Sequence, residues 1–287
     1  MCDDLTAADN EQFLKDAISR RGFGAAAAAV GIGVLLPSPA NALAVKGRDV
    51  TIRTPDGTVD AYFVAPATGK HPAVLVWPDI YGLRPAFRQM ADRLAQSGYA
   101  VLTVNPFYRS TTAAALAASG DRAAVRAKAG EARKLLTPEA TIRDATALVT
   151  FLDKQPEVNA KRGVGTTGYC MGGPLVVRTA AAVPGRVRAG GSFHGGGLAT
   201  AAPDSPHLLI PKTKARFLIA IAENDDARAP ADKETLRAAF AAAKRPAEIE
   251  VYKGAMHGWC PPDSEVYNQA QADRAWARLL HLFETAL

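Results

Sequence analysis

The chain has 287 residues, with 34 Lys and Arg against 28 Asp and Glu, a formal net charge of +6. Its 48% hydrophobic and 22% charged residues are those of a globular protein with a substantial core, which excludes wholesale disorder and fibrous repeats. The positive excess is spread along the chain without a Lys/Arg run interleaved with aromatics, so no nucleic-acid partner is expected. Three cysteines, Cys2, Cys170 and Cys260, are too few and too far apart for a disulfide scaffold or a paired zinc site.

Ser19-Arg20-Arg21-Gly22-Phe23 precedes an apolar, alanine-rich run over residues 25–36, then Pro37-Ser38-Pro39 and the small-residue pattern Ala40-Asn41-Ala42-Leu43-Ala44. Cationic, apolar and small-residue regions in that order predict a signal peptide over residues 1–44, and the paired arginines resemble the bacterial twin-arginine export signal. Cleavage is expected after Ala42 or Ala44, with the twin-arginine export machinery as partner of the precursor and a periplasmic or secreted product. The apolar run is 12 residues long. A bilayer span needs roughly 20, so no permanent membrane helix is expected. Cys2 would leave with the signal.

Residues 48–54 and 59–65 read as strands either side of Pro55-Asp56-Gly57, a hairpin signal. Strands are expected at 73–77 and 100–104, with a helix at 86–97 that ends at Gly98. Helices follow over 112–135 and 138–154, then a strand ending at Thr167 and a helix after Gly173. Later strands fall at 187–193, 215–222 and 247–252, and helices at 231–243 and from 265 to the C-terminus. Strands separated by helices of this length imply an α/β fold, a mostly parallel sheet with helices on both faces, because parallel neighbours need crossover connections. With no repeat and no linker-like break, residues 45–287 are expected to form one domain.

Ligands in such sheets gather at the carboxyl ends of the strands. Gly168-Tyr169-Cys170-Met171-Gly172 lies between a strand and a helix. A nucleophile on so tight a turn has a strained backbone and needs small neighbours two residues away on each side. Glu223-Asn224-Asp225-Asp226 follows a later strand, and Ala255-Met256-His257-Gly258-Trp259 follows the last. The order nucleophile, acid, histidine is that of an α/β hydrolase. His257 would take the thiol proton and return one to the leaving group, while Asp225 or Asp226 would fix its tautomer; the other aspartate is free to cap the next helix. His194 is a second histidine at a strand end but precedes the acid, so it is expected to line the pocket.

Gly-Tyr-Cys-Met-Gly-Gly, the Glu-Asn-Asp segment and Ala-Met-His-Gly-Trp resemble the dienelactone hydrolase family, a cysteine-dependent branch of the α/β hydrolases. Trp77-Pro78-Asp79-Ile80-Tyr81-Gly82-Leu83 and Asn105-Pro106-Phe107-Tyr108-Arg109 fit the same pattern. The resemblance implies hydrolysis of an activated ester or lactone through an acyl-cysteine, with no cofactor and no metal. It assigns Cys170 as nucleophile, His257 as base, Asp225 as orienting acid, and the amides of Ile80 and Met171 as oxyanion hole. Asp79 stands where the family's glutamate modulates the resting thiol. Arg109 matches one of two arginines that clamp a substrate carboxylate, and Tyr81 and Trp259 are expected to contact substrate. The stretch Trp259-Cys260-Pro261-Pro262-Asp263 supplies no second arginine, so a neutral ester is an alternative substrate. Two other classes compete: an exported ester- or carbohydrate-binding module, and a metal site of Cys170, His257, Cys260 and an aspartate. A monomer is expected.

Overall fold

The computed structural model describes residues 4–20 and 36–287. The first element is helix α1 (Asp4–Arg20). Cys2 and residues 21–35, which include most of the expected signal's apolar run, lie outside the described residues.

The main body begins with the hairpin of β1 (Val45–Thr54) and β2 (Gly57–Pro66), paired antiparallel from Thr54 opposite Gly57 to Val45 opposite Pro66. Strand β3 (Ala73–Trp77), helix α2 (Pro85–Gln96) and β4 (Ala100–Val104) follow. The stretch expected as one helix over 112–135 is two, α3 (Ala113–Ala117) and α4 (Arg122–Arg133). Gly120 takes φ 120°, which a non-glycine residue rarely adopts. Thr112 and Asp121 each accept a backbone N–H with their side chains at the start of α3 and α4. Two N-caps around a left-handed glycine thus divide an alanine-rich run whose composition alone favours continuous helix.

Helix α5 (Pro138–Asp153) leads to β5 (Val164–Tyr169), α6 (Gly172–Ala182) and β6 (Val187–Phe193). A 3₁₀ segment (Pro206–Lys212) precedes β7 (Arg216–Ala222), α7 (Glu223–Arg228), α8 (Asp232–Ala242), β8 (Ala247–Tyr252) and α9 (Gln269–Ala286). The sheet runs β1-β2-β4-β3-β5-β6-β7-β8. It is antiparallel from β1 to β4 and parallel from β4 to β8. This is the α/β-hydrolase arrangement. Strands β3, β4 and β5 are buried along their whole length because each face of the sheet carries helices. Leu148 of α5, Val176 of α6 and Phe240 of α8 pack on one side. Phe87 and Leu94 of α2 and Leu279 and Phe283 of α9 pack on the other.

Arg109, expected as a substrate clamp, serves this scaffold instead. Its guanidinium donates to both carboxylate oxygens of Asp144 on α5, at 2.7 and 2.9 Å, and to Asp56 in the β1–β2 turn at 2.7 Å. Tyr108 donates to the same Asp144 at 2.6 Å. The Arg109 and Asp144 side chains are 11% and 2% exposed, so neither charge can turn to solvent. Removing one partner of a buried pair strands the other. Arg109→Met is therefore expected to cost on the order of 3 kcal/mol in denaturant unfolding, while the ratio of kcat/KM for a carboxylate-bearing ester to that of its methyl ester stays unchanged.

Candidate active site

The sharpest local constraint lies where β5 meets α6. A Cβ on Gly168 would fall 2.1 Å from the carbonyl oxygen of Gly172, and one on Gly172 would fall 2.3 Å from the carbonyl oxygen of Trp77. Both contacts are with backbone and cannot yield, so glycine is required at each position. The chain reverses between them with Cys170 at φ 52°. Its N–H donates to the Phe193 carbonyl and its carbonyl accepts from Gly173, both at 3.0 Å. A non-glycine residue held in this region stores strain, which the surrounding backbone imposes here.

Cys170 is disulfide-bonded. Cys260 is a free, buried cysteine whose thiol burial pushes well above its ordinary pKa, leaving it a small apolar group. It packs in the core cluster beneath α9, and among the described residues no group of three or more His, Cys, Asp and Glu side chains could hold a metal ion.

The end of β7 and the His257 loop are joined by three consecutive residues of α7. Glu223 accepts the Gly254 N–H at 2.9 Å through its side chain and donates its own N–H to the Ala255 carbonyl at 2.9 Å. Asn224 accepts the His257 N–H at 2.8 Å. Asp225 Oδ2 lies 2.7 Å from His257 Nδ1. These bonds fix the loop after β8 to the end of β7 and leave the imidazole 3% exposed. Asp225 is thus the aspartate on the histidine. Asp226 does not cap α8: that helix starts at Ala231 without a side-chain cap, and Asp226 pairs with Lys233 at 2.6 Å.

The loop after β3 closes another side. Asp79 accepts the Tyr81 N–H at 2.9 Å and both Nη groups of Arg84, at 2.7 and 3.0 Å. Arg84 also donates to both oxygens of Asp263, at 2.6 and 2.9 Å. Burial works against the Arg84 charge, but the two carboxylates outweigh it and hold the guanidinium firmly protonated. Asp79, expected to govern the thiol, is therefore committed to an ion pair. The amides of Ile80 and Met171 donate no hydrogen bond among the described residues.

Cys170, Ile80, Tyr81, His194 and His257 line one cavity of about 1000 Å³. Trp259, expected to touch substrate, is fully buried, stacked on Tyr252 at 5.3 Å and edge-on to His194 at 5.0 Å. Its large apolar surface draws it beneath the site as a support. The partners of Arg84, Glu223 and Asn224 were not legible in the sequence, since they are remote along the chain or contacted through backbone.

His194 does line the cavity, with φ 40° and its ring 5.0 Å from that of His257. Neither ring nitrogen has a hydrogen-bond partner among the described residues. Burial, aided by His257, drives its pKa well below the ordinary 6.5. The unfolded chain therefore binds a proton in a range where the folded chain does not, so this residue's contribution is complete above pH 6.5 and lost as pH falls below it. Urea unfolding at pH 8 and pH 5 is expected to show a larger loss of stability on acidification for wild type than for His194→Phe.

Residues 59–287 match the model of the dienelactone hydrolase family. Carboxymethylenebutenolidase 2 of Cupriavidus pinatubonensis is 32% identical over 208 residues, covering 71% of this chain and 80% of that one. Carboxymethylenebutenolidase of Rhodococcus opacus is 27% identical over 239 residues, covering 82% and 90%. The crystal structure of a dienelactone hydrolase-like promiscuous phosphotriesterase from metagenomic libraries shares the fold with a TM-score of 0.70 at 21% identity, covering 85% of this chain and 99% of that one. The family match takes in the Cys170 turn, α7 and the His257 loop together, and on that breadth the chain belongs to the dienelactone hydrolase family.

Proposed function

We propose that this hydrolase cleaves an activated carboxylic ester or lactone through a covalent acyl-Cys170 intermediate. The observation that carries the reading is the 2.7 Å contact of Asp225 with His257 Nδ1 at the cavity that Cys170 lines. An aspartate there keeps the proton on Nδ1 and leaves Nε2 as acceptor. His257 takes the proton of the reduced Cys170 thiol, and the sulfur adds to the substrate carbonyl. The amides of Ile80 and Met171 receive the oxyanion, the Met171 amide adding the positive end of α6. Collapse of the tetrahedral adduct breaks the ester C–O bond, and His257 returns its proton to the departing alkoxide. Water, deprotonated by His257, then attacks the thioester, and the carboxylic acid leaves as the sulfur regains a proton. No step needs a cofactor.

The substrate class is that named for the relatives, a butenolide-type lactone, or a small activated aryl ester of like reactivity. Commitment of Arg109 to Asp56 and Asp144 favours an ester that does not rely on Arg109 for a carboxylate clamp. The Arg20-Arg21 pair ahead of a short apolar run supports export by the twin-arginine route, with a monomeric product in the periplasm or outside the cell. Among the described residues no helix is long and apolar enough to cross a membrane.

Purified protein assayed on aryl esters and small lactones tests the chemistry. The assay is run with a thiol reductant so that Cys170 is present as a free thiol. Under reducing conditions Cys170→Ala is expected to abolish turnover; wild-type activity in that variant would end the cysteine mechanism. Asp225→Asn is expected to lower kcat by up to about 10⁴-fold, the scale of a misoriented catalytic histidine, with Asp226→Asn close to wild type. Fractionation of the native bacterium tests export: an uncleaved chain confined to the cytoplasm would refute it.

A further inference from the structure

The cavity that Cys170 and His257 line is walled in part by α1. Thr6, Asn10, Glu11 and Leu14 line the same cavity as Cys170 and His257. Asn10 donates to the carbonyl oxygen of His257 at 3.0 Å. Arg228, the last residue of α7, donates to Thr6 Oγ1 at 3.0 Å and forms an ion pair with Asp9. Asn224, which already accepts the His257 N–H, donates to the same Asp9 carboxylate at 3.5 Å. Thr6 is 5% exposed beneath these contacts.

The contacts converge on two pieces of backbone, α7 and the His257 loop, which are also the pieces that bring Asp225 to the imidazole. From these observations we infer that the rim formed by Asn224, Arg228 and the His257 carbonyl is a docking surface for the chain's own N-terminal helix, and that α1 seated there is an internal inhibitor of the site. The inference rests on the hydrolase reading for its functional consequence, while the docking stands on the contacts themselves. Three features favour an inhibitor over a fixed structural element. The hydrogen bonds and the ion pair named above are polar, so they can exchange with water at small cost. The helix lines the same cavity as Cys170 and His257, so it takes up space there that a substrate would use. In the exported reading, cleavage after Ala42 or Ala44 severs α1 from the rest of the chain, and with Cys170 reduced the helix is free to leave.

A charge-swap cycle in the full chain, under reducing conditions, tests this. Arg228→Glu and Asp9→Arg each set like charges against one another at the rim, and neither residue belongs to the catalytic machinery. Each single variant is expected to raise kcat/KM on an activated aryl ester by roughly tenfold, as the fraction of open site rises. The double variant Asp9→Arg/Arg228→Glu restores the pair with reversed sign and is expected to return towards wild type. Amide hydrogen exchange over residues 6–15 is expected to follow the same order, fast in both single variants and slow in wild type and the double. Single variants with wild-type kcat/KM and wild-type exchange, or a double variant no slower than the singles, would overturn the proposal. Should no variant hydrolyse any ester, the hydrolase reading fails and exchange alone judges the docking: release of α1 in the single variants with recovery in the double upholds it, and unchanged exchange overturns it.

Discussion

The site depends on a place where three stretches of backbone meet with no room for a side chain. The end of β3, the end of β5 and the start of α6 approach so closely that the carbonyls of Trp77 and Gly172 occupy the positions where Cβ atoms would stand on Gly172 and Gly168. Close packing of this kind is rigid, because every displacement meets main chain rather than a flexible side-chain tip. From it follow the left-handed backbone of Cys170, the placing of Met171 at the head of α6, and the nearness of the β3 loop that carries Asp79 and Ile80. Strain at one residue is sustained by the parallel sheet, whose hydrogen bonds hold β3, β5 and β6 in fixed register.

Much of this was legible in the sequence because the governing interactions there are local. Glycine two residues either side of Cys170 reports crowding that acts across a single turn, and the period of apolar residues reports burial of each strand. Asp225 stood apart from Asp226 only through family resemblance; in the structure the choice is made by Glu223 and Asn224, which tie the preceding turn to the His257 loop so that Asp225 alone faces the ring. Interactions that join remote segments left no such mark. Arg109 follows a strand at the active edge of the sheet, as a clamp would, yet Asp144 lies 35 residues away on a helix face that nothing in the local pattern ties to it. Trp259 lies two residues after His257 in sequence, and its size sends it under the site rather than into it. The helix expected over 112–135 fails at Gly120 because a turn and two caps outweigh the propensity of alanine.

Helix α7 shows how few residues can serve several ends. Its six residues bond the β8 loop with Glu223, hold the backbone of His257 with Asn224, orient the imidazole with Asp225, and meet α1 with Arg228. A disturbance at its far end has a short path to the His257 ring, since Asn224 touches both His257 and Asp9. Access to the cavity and the geometry of the base are therefore physically adjacent.

The Arg84 cluster gives the cavity a particular electrical character. One guanidinium between two carboxylates, Asp79 and Asp263, carries a net charge of one negative unit. Arg122 supplies the compensating charge: it donates to the Asp263 carbonyl at 3.1 Å and lies 4.3 Å from the centre of the Tyr81 ring. Four ionised groups thus sum to zero within one wall. Seen from outside, such a set is a multipole whose field decays over a few ångströms instead of reaching into solvent as that of a single charge does. This set of four can orient a polar bond that has already arrived, but adds little of its own to the field that reaches into solvent.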